Sequence, residues 1–246
     1  MGDQNTLVCV LPCVPLRVEP NDCSEQVNQI ISGELVIKLE DCPGNWIKIS
    51  SQSDGYEGYA DPRHFNLHQS ALQKHIIYKT TFWNRGEASH VSPIGSFVYK
   101  NDSNYILGDF ILRSDSDDLG TSPNSLSAAA QIFLGTPYHW GGKTINGIDC
   151  SGLTQICARL LGIELKRDAS DQSDQGAEVE WSERRVDDLA FFKNNEGKIT
   201  HVGILNSEDG IIHASGEVRI DLLTKDGIVH SVTGEKTHSF SHFRRL

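Results

Sequence analysis

The sequence predicts an α+β protein: two small β-barrels over residues 1–66 and 67–121, then a domain of helices and antiparallel strands over residues 122–246. Three observations carry that prediction. Turn residues cut the first half into short strand-like pieces, helix-forming runs closed by glycine begin after Ser122, and apolar strand-like runs start at Leu189.

In the first barrel the strand pieces are residues 8–10, 35–39, 46–49 and 56–60, separated by turns at Pro20-Asn21-Asp22, Pro43-Gly44-Asn45 and Ser53-Asp54-Gly55. Residues 7–16 alternate like an edge strand broken by Pro12 and Pro15. Residues 71–80, 96–99 and 105–112 continue the style as a second barrel, with a turn over 101–104, and the acidic, serine-rich stretch 114–122 reads as a linker. No internal repeat aligns the two halves.

Ser122 then reads as a helix N-cap, Pro123 as the first helical position, and residues 127–134 as a helix stopped by Gly135. A second helix carries Leu153, Ile156, Cys157, Leu160 and Leu161 on one face, with Gly162 as its stop signal. Cys150 falls in its first turn. Strands are expected at 189–192, 199–205, 211–214 and 218–222, the second and third joined as a hairpin by Ser207-Glu208-Asp209-Gly210.

The formal net charge of −11, with no basic stripe, excludes a nucleic-acid partner, and an acidic ligand would need local donors. No apolar run reaches the roughly 18–20 residues of a membrane span, so membrane insertion is not expected. The N-terminus shows no basic start with an apolar stretch, which points to a cytoplasmic location and reduced thiols at the six cysteines, although a trimmed secreted form would look the same. No cofactor is expected, and the oligomeric state is open.

A cysteine at a helix start is a candidate nucleophile, because unpaired backbone N–H groups and the helix dipole favour thiolate. The bland alternative is a small buried hydrophobe. Thiol catalysis also needs a base and a polar group that orients it. His201 and His213 lie on the two strands of the expected hairpin, project from one face and fall near each other. The wide spacing of Cys150, His201 and His213 lacks the paired-ligand pattern of structural zinc sites, so no metal is expected.

Tyr138-His139-Trp140-Gly141-Gly142, Asp149-Cys150-Ser151-Gly152, His201-Val202-Gly203-Ile204 and Ile212-His213-Ala214 occur in that order. With these motifs, residues 122–246 resemble the NlpC family of bacterial cell-wall peptidases, which are papain-like cysteine peptidases. The resemblance implies Cys150 as nucleophile, His201 as general base and acid, and His213 as the orienting residue. It also places the Tyr138 hydroxyl and the Cys150 backbone N–H near the scissile carbonyl, and Trp140, Asp149 and Ser151 along the substrate groove. Core packing for Trp140 and N-capping for Asp149 are the competing roles.

Lys166-Arg167-Asp168-Ala169-Ser170 is similar to a substrate-contacting segment of that family, with Asp168 either binding substrate or capping a short helix through Gln175. Val186-Asp187-Asp188-Leu189 departs from the family's strand entry, since Val186 and Asp187 replace Pro and Gly. The first half, with Arg17-Val18-Glu19-Pro20, Ser24-Glu25 and Gly33-Glu34, resembles the bacterial SH3-type barrels that precede such domains in γ-D-glutamyl-L-diamino-acid endopeptidases.

This second resemblance implies a barrel that walls off one end of the groove, so that a murein-derived peptide must present a free N-terminal L-Ala. Glu25 is then the candidate partner of the ammonium, with Glu19 as competitor, and Tyr59 the blocking aromatic. A solvated turn glutamate and a barrel-core tyrosine are the plain alternatives. The expected activity is hydrolysis of the γ-D-glutamyl to diamino acid bond in released murein peptides. A secreted hydrolase of intact peptidoglycan and a silent binding module are its rivals.

Overall fold

The computed structural model describes residues 5–69, 72–101, 104–114 and 117–246, and the chain divides into two units, Met1–Ser122 and Pro123–Leu246. Residue 71 of the strand expected over 71–80, residues 102–103 of the expected turn and residues 115–116 of the expected linker lie outside the described residues.

The first unit opens with β1 (Thr6–Cys9), β2 (Cys13–Arg17), β3 (Gln26–Ile31), β4 (Leu35–Cys42), β5 (Trp46–Ser51), β6 (Glu57–Ala60) and β7 (Phe65–Leu67). They form an antiparallel sheet in the order β3-β2-β6-β5-β4-β1-β7 around Val14, Leu16, Ile30, Val36, Ile47, Ile49 and Ala60. β2 and β3 were not anticipated as separate strands. Pro15 is tolerated in β2 because β6 pairs with that strand only at Arg17, so most of one side carries no ladder.

β1 serves two cores, because alternate residues of a strand face opposite ways. Cys9 enters the first core, while Val8 and Val10 pack with Trp83, Tyr99, Tyr105 and Leu107 in a second. That second core is covered by β8 (Gln73–Ile76), β9 (Thr81–Arg85), β10 (Ala88–Ser92), β11 (Phe97–Lys100), β12 (Tyr105–Leu107) and β13 (Phe110–Leu112). They make a four-stranded sheet, β13-β12-β11-β8, and the hairpin β9–β10. The single strand expected over 105–112 is instead the hairpin β12–β13, turned at Gly108 with φ 59°.

The second unit begins with α1 (Leu126–Gln131), later than the Ser122-Pro123 signal, because Ser125 is the N-cap: its Oγ accepts the Ala128 N–H at 3.2 Å. The two-residue strands β14 (Lys143–Thr144) and β15 (Gly147–Ile148) precede α2 (Cys150–Leu160) and the short α3 (Ala169–Gln172). Then come β16 (Ala177–Val179), β17 (Leu189–Lys193), β18 (Ile199–Leu205), β19 (Gly210–Ser215), β20 (Glu217–Thr224), β21 (Gly227–Val229) and β22 (Lys236–Arg245).

The sheet order is β16-β22-β17-β18-β19-β20-β21, and β21 also pairs with β22, which closes six of these strands into a ring. Ala190, Phe192, Leu205, Ile211, Leu223, Ile228 and Phe243 fill it, while α1 and α2 pack against β18 and β19. β22 reads as polar, Lys-Thr-His-Ser-Phe-Ser-His-Phe-Arg-Arg, and was not foreseen. Phe240 and Phe243 anchor it on Trp181 at ring separations of 5.0 and 5.4 Å. Gly227 permits the closure: at φ 138°, any Cβ there would meet the His238 carbonyl oxygen at 1.7 Å.

Candidate active site

Cys150 is the first residue of α2, and Asp149 is its N-cap. The Asp149 carboxylate accepts the Gly152 N–H on Oδ1 at 2.7 Å and the Gly141 N–H on Oδ2 at 2.8 Å. Arg167 donates to the same two oxygens at 3.0 and 2.5 Å, and to Ser151 Oγ at 2.8 Å. One carboxylate thereby ties the glycine loop, the helix start and the segment before α3 together. Glycine is needed where these meet, since a Cβ at Gly152 would fall 2.2 Å from the Gly142 carbonyl oxygen.

Behind this frame, Gln172 Nε2 donates to the carbonyls of Ser151 and Lys166 at 3.0 and 2.8 Å, and Thr154 Oγ1 donates to Gln172 Oε1 at 2.6 Å. α3 is locked to α2 by hydrogen bonds of the Gln172 side-chain amide. Asp168 occupies the N-cap position of α3 without a side-chain capping bond and is exposed.

β18 and β19 pair with Ile204 opposite Ile212, so His201 and His213 are diagonal neighbours on one face. By the strand period of two, that face is the one carrying Leu205 and Ile211 into the ring. His201 Nε2 lies 2.8 Å from His213 Nδ1, and His213 Nε2 lies 3.0 Å from Asp221 Oδ2. Asp221 Oδ2 also accepts Arg219 Nε at 2.9 Å, and Oδ1 accepts the Ser231 N–H at 2.9 Å. From β22, His238 stacks on His201 with ring centroids 4.0 Å apart and planes 21° from parallel.

Burial dominates the electrostatics. It pushes the Cys150 thiol up to about 12, helped by the Asp149 charge, while the Val202 and Ser151 amides pull the other way. The helix start by itself predicts a lowered thiol; here desolvation and the neighbouring carboxylate win. Burial, together with the His238 and His213 rings, holds His201 well below 6.5. His213 is lowered by the same cause, against the pull of Asp221. Burial alone would raise Asp221, but its bonds to His213, the Ser231 amide and Arg219 keep it well below the usual carboxylate range.

Tyr138 is held between the Gly216 carbonyl, which accepts its N–H at 2.8 Å, and a bridge to Ile148. Burial raises its hydroxyl to about 12, and the nearby Cys150 and Asp149 charges add to this. Trp140 is not core packing: 57% of its surface is exposed.

Glu25 and Tyr59 belong to the first unit, where both adjoin Arg17 at the end of β2: Tyr59 pairs with Arg17 in register, and Glu25 precedes Gln26, its partner on the other side. Tyr59 is not a core residue, since its neighbours Gly58 and Ala60 point inward and it points out. Glu25 and Glu19 are exposed, and the Glu19 N–H is bonded to Ser24 Oγ at 2.9 Å.

Sequence reasoning did not give roles to Arg167, Asp221, Arg219 or His238. Asp221 had a legible signal, an acid alternating with Arg219 inside an expected strand, whereas His238 lies in a strand with no apolar pattern. His201, His213 and His238 bring ring nitrogens within 4.8 Å of one another. The first and last are stacked, so their in-plane lone pairs cannot converge on one ion unless a ring turns.

Residues 135–237 match the family model described as NlpC/P60 family, and residues 16–64 match the bacterial dipeptidyl-peptidase Sh3 domain. A Gamma-D-glutamyl-L-lysine dipeptidyl-peptidase of Bacillus subtilis is 28% identical over 221 residues, covering 78% of this chain and 74% of that protein. A protein of the same name from Bacillus cereus is 30% identical over 148 residues, 58% of this chain but only 43% of the relative's length. The crystal structure of an NlpC/P60 family protein from Bacillus cereus shares the fold, with a TM-score of 0.79 at 18% identity over 98% of this chain and 99% of that one. The chain thus joins a bacterial SH3 domain to a domain of the NlpC/P60 family, the cysteine peptidases its motifs resemble.

Proposed function

We propose that this chain hydrolyses the γ-D-glutamyl to diamino acid bond of peptidoglycan-derived peptides that begin with a free L-Ala. The observation that carries the chemistry is the chain of short contacts from His201 through His213 to Asp221, next to the Val202 amide that favours the Cys150 thiolate. The substrate class is supported by the activity for which the two Bacillus relatives are named and by the SH3 domain that precedes the NlpC/P60 domain.

In this reading Cys150 Sγ attacks the γ-carbonyl carbon of D-Glu while its proton passes to His201. The carbonyl π electrons move to oxygen, and the Cys150 N–H and Tyr138 hydroxyl stabilise the resulting oxyanion. Collapse breaks the C–N bond, and His201 returns the proton to the leaving amine. Water, deprotonated by His201, then attacks the thioester; the carboxylic acid leaves and Cys150 regains its proton. Asp149 and Arg167 hold the helix start rigid, and Trp140, Ser151 and Asp168 line the groove. Glu25 and Tyr59, which adjoin Arg17 on the barrel, are the candidates for the free-amine requirement.

The test is mass spectrometry of products from L-Ala-γ-D-Glu-diaminopimelate with free and with acetylated amino termini. Cleavage of the free peptide, lost in Cys150→Ala and in the acetylated substrate, is expected. Equal rates on both peptides would overturn the free-amine requirement, and activity in Cys150→Ala would overturn the nucleophile. Lysis of purified sacculi in place of peptide cleavage would favour a hydrolase of intact wall.

A further inference from the structure

We propose that Asp221 is a positioning residue that sets the tautomers of two histidines in series, leaving the lone pair of His201 on Nδ1, ready for the Cys150 proton. This rests on the reading of Cys150 and His201 as nucleophile and base.

The assignment follows from counting protons. Asp221 receives three donors, from His213 Nε2, Arg219 Nε and the Ser231 amide, at 3.0, 2.9 and 2.9 Å. A carboxylate so surrounded is ionised and can only accept. His213 must therefore carry its proton on Nε2. A neutral imidazole has one N–H, so His213 Nδ1 is an acceptor, and the proton in the 2.8 Å contact belongs to His201 Nε2. His201, neutral in its turn, keeps its lone pair on Nδ1. The opposite tautomer would put two protons, or none, in one of the two contacts.

The same chain handles the charge that the reaction creates. When His201 takes the thiol proton, it becomes a cation in a site that disfavours cations. Its Nε2–H donates to His213, whose Nε2–H donates to a fixed anion, so the positive charge is met two rings away without a proton leaving either ring. The groups around His213 are His201 on β18, Arg219 and Asp221 on β20, His230 just after β21, and His238 on β22 at a ring separation of 5.7 Å. Of these, Asp221 is the anion.

Asp221→Asn tests this with almost no change in shape. Its NH2 group must face either the Ser231 N–H or the Arg219 and His213 donors; in the second case His213 relieves the clash by moving its proton to Nδ1. Long-range 15N–1H spectra of histidine-labelled full-length protein read the tautomers without substrate. In the wild type, His201 and His213 are expected in the Nε2–H form. In Asp221→Asn, His201 is expected to shift to Nδ1–H and kcat to fall roughly 10²- to 10⁴-fold, by analogy with wrong-tautomer variants of serine peptidases, with little change in KM.

A wild-type His201 carrying its proton on Nδ1 overturns the proposal, whether or not the variant folds. So does an Asp221→Asn in which His201 has moved to the Nδ1–H form while kcat stays at the wild-type value. Because the tautomers are read in the resting protein, they stand apart from the catalytic reading, which fails if Cys150→Ala stays active.

Discussion

His201 Nε2 and His213 Nδ1 are 2.8 Å apart, and the contact is a consequence of strand register. Ile204 opposite Ile212 makes the two histidines diagonal partners. A shift of one residue would turn one of them out of the ring.

His213→Ala should lower kcat by at least about 10²-fold, because it removes the acceptor that holds the His201 ring and leaves a buried donor unsatisfied. His213→Gln, which can still accept from His201, should retain more. Steady-state kinetics on the free tripeptide would check the order; equal losses would contradict it.

The Cys150 thiol, raised to about 12 by burial and by Asp149, should be protonated at neutral pH in the resting protein. Its alkylation by iodoacetamide should therefore keep climbing with pH to 9 and beyond. A plateau of rate near neutrality, measured by mass spectrometry of the Cys150 peptide, would show a preformed thiolate instead.

His201, His213 and His238 all lie below the ordinary value of 6.5, burial being the first cause in each. Below that pH the unfolded chain binds more protons than the folded one, so stability should fall as pH drops below about 6.5, by up to about 1.4 kcal/mol per pH unit for each proton. Asp221, whose carboxyl is held low, keeps its contribution until much lower pH. Melting at pH 7.5, 6.0 and 5.0 should show the decline, shallower in His238→Phe; a flat profile would rule it out.

The Asp149–Arg167 pair is buried, with Arg167 2% exposed. Arg167→Met should cost about 3–5 kcal/mol, since it strands the Asp149 charge, and Asp149→Asn in the same chain should recover part of that. Urea denaturation of the single and double variants gives the coupling. Additive losses would mean the two side chains act independently.

Asp187 stands at φ 77°, where its resembled family has glycine, and its Oδ1 accepts the Ser127 N–H at 2.7 Å. Asp187→Ala should destabilise by roughly 1–3 kcal/mol, keeping the strain and losing the bond. Asp187→Gly should cost less because it relieves the strain. A thermal melt of both separates the two contributions.

The local parts of this protein were legible without coordinates. Leu153, Ile156, Cys157 and Leu160 mark α2 by their period, Gly162 at φ 77° ends it, and Ser207-Glu208-Asp209-Gly210 makes a hairpin. From these alone Cys150 falls at a helix start and His201 near His213. α1 was misread because Ser122-Pro123 and Ser125 carry the same local signal, and only the bond from Ala128 N–H to Ser125 Oγ chooses between them.

What the chain itself determined was therefore the helix and hairpin that carry Cys150, His201 and His213, since those depend on nearest neighbours and on period. Tertiary structure alone decided the partners. Ring closure at Gly227 brings His238 onto His201, the fold of α3 brings Arg167 to Asp149, and β20 brings Asp221 to His213. It also decided the protonation states, because burial depends on everything packed around a group, and here burial outweighs the helix dipole that the sequence predicts for the thiol.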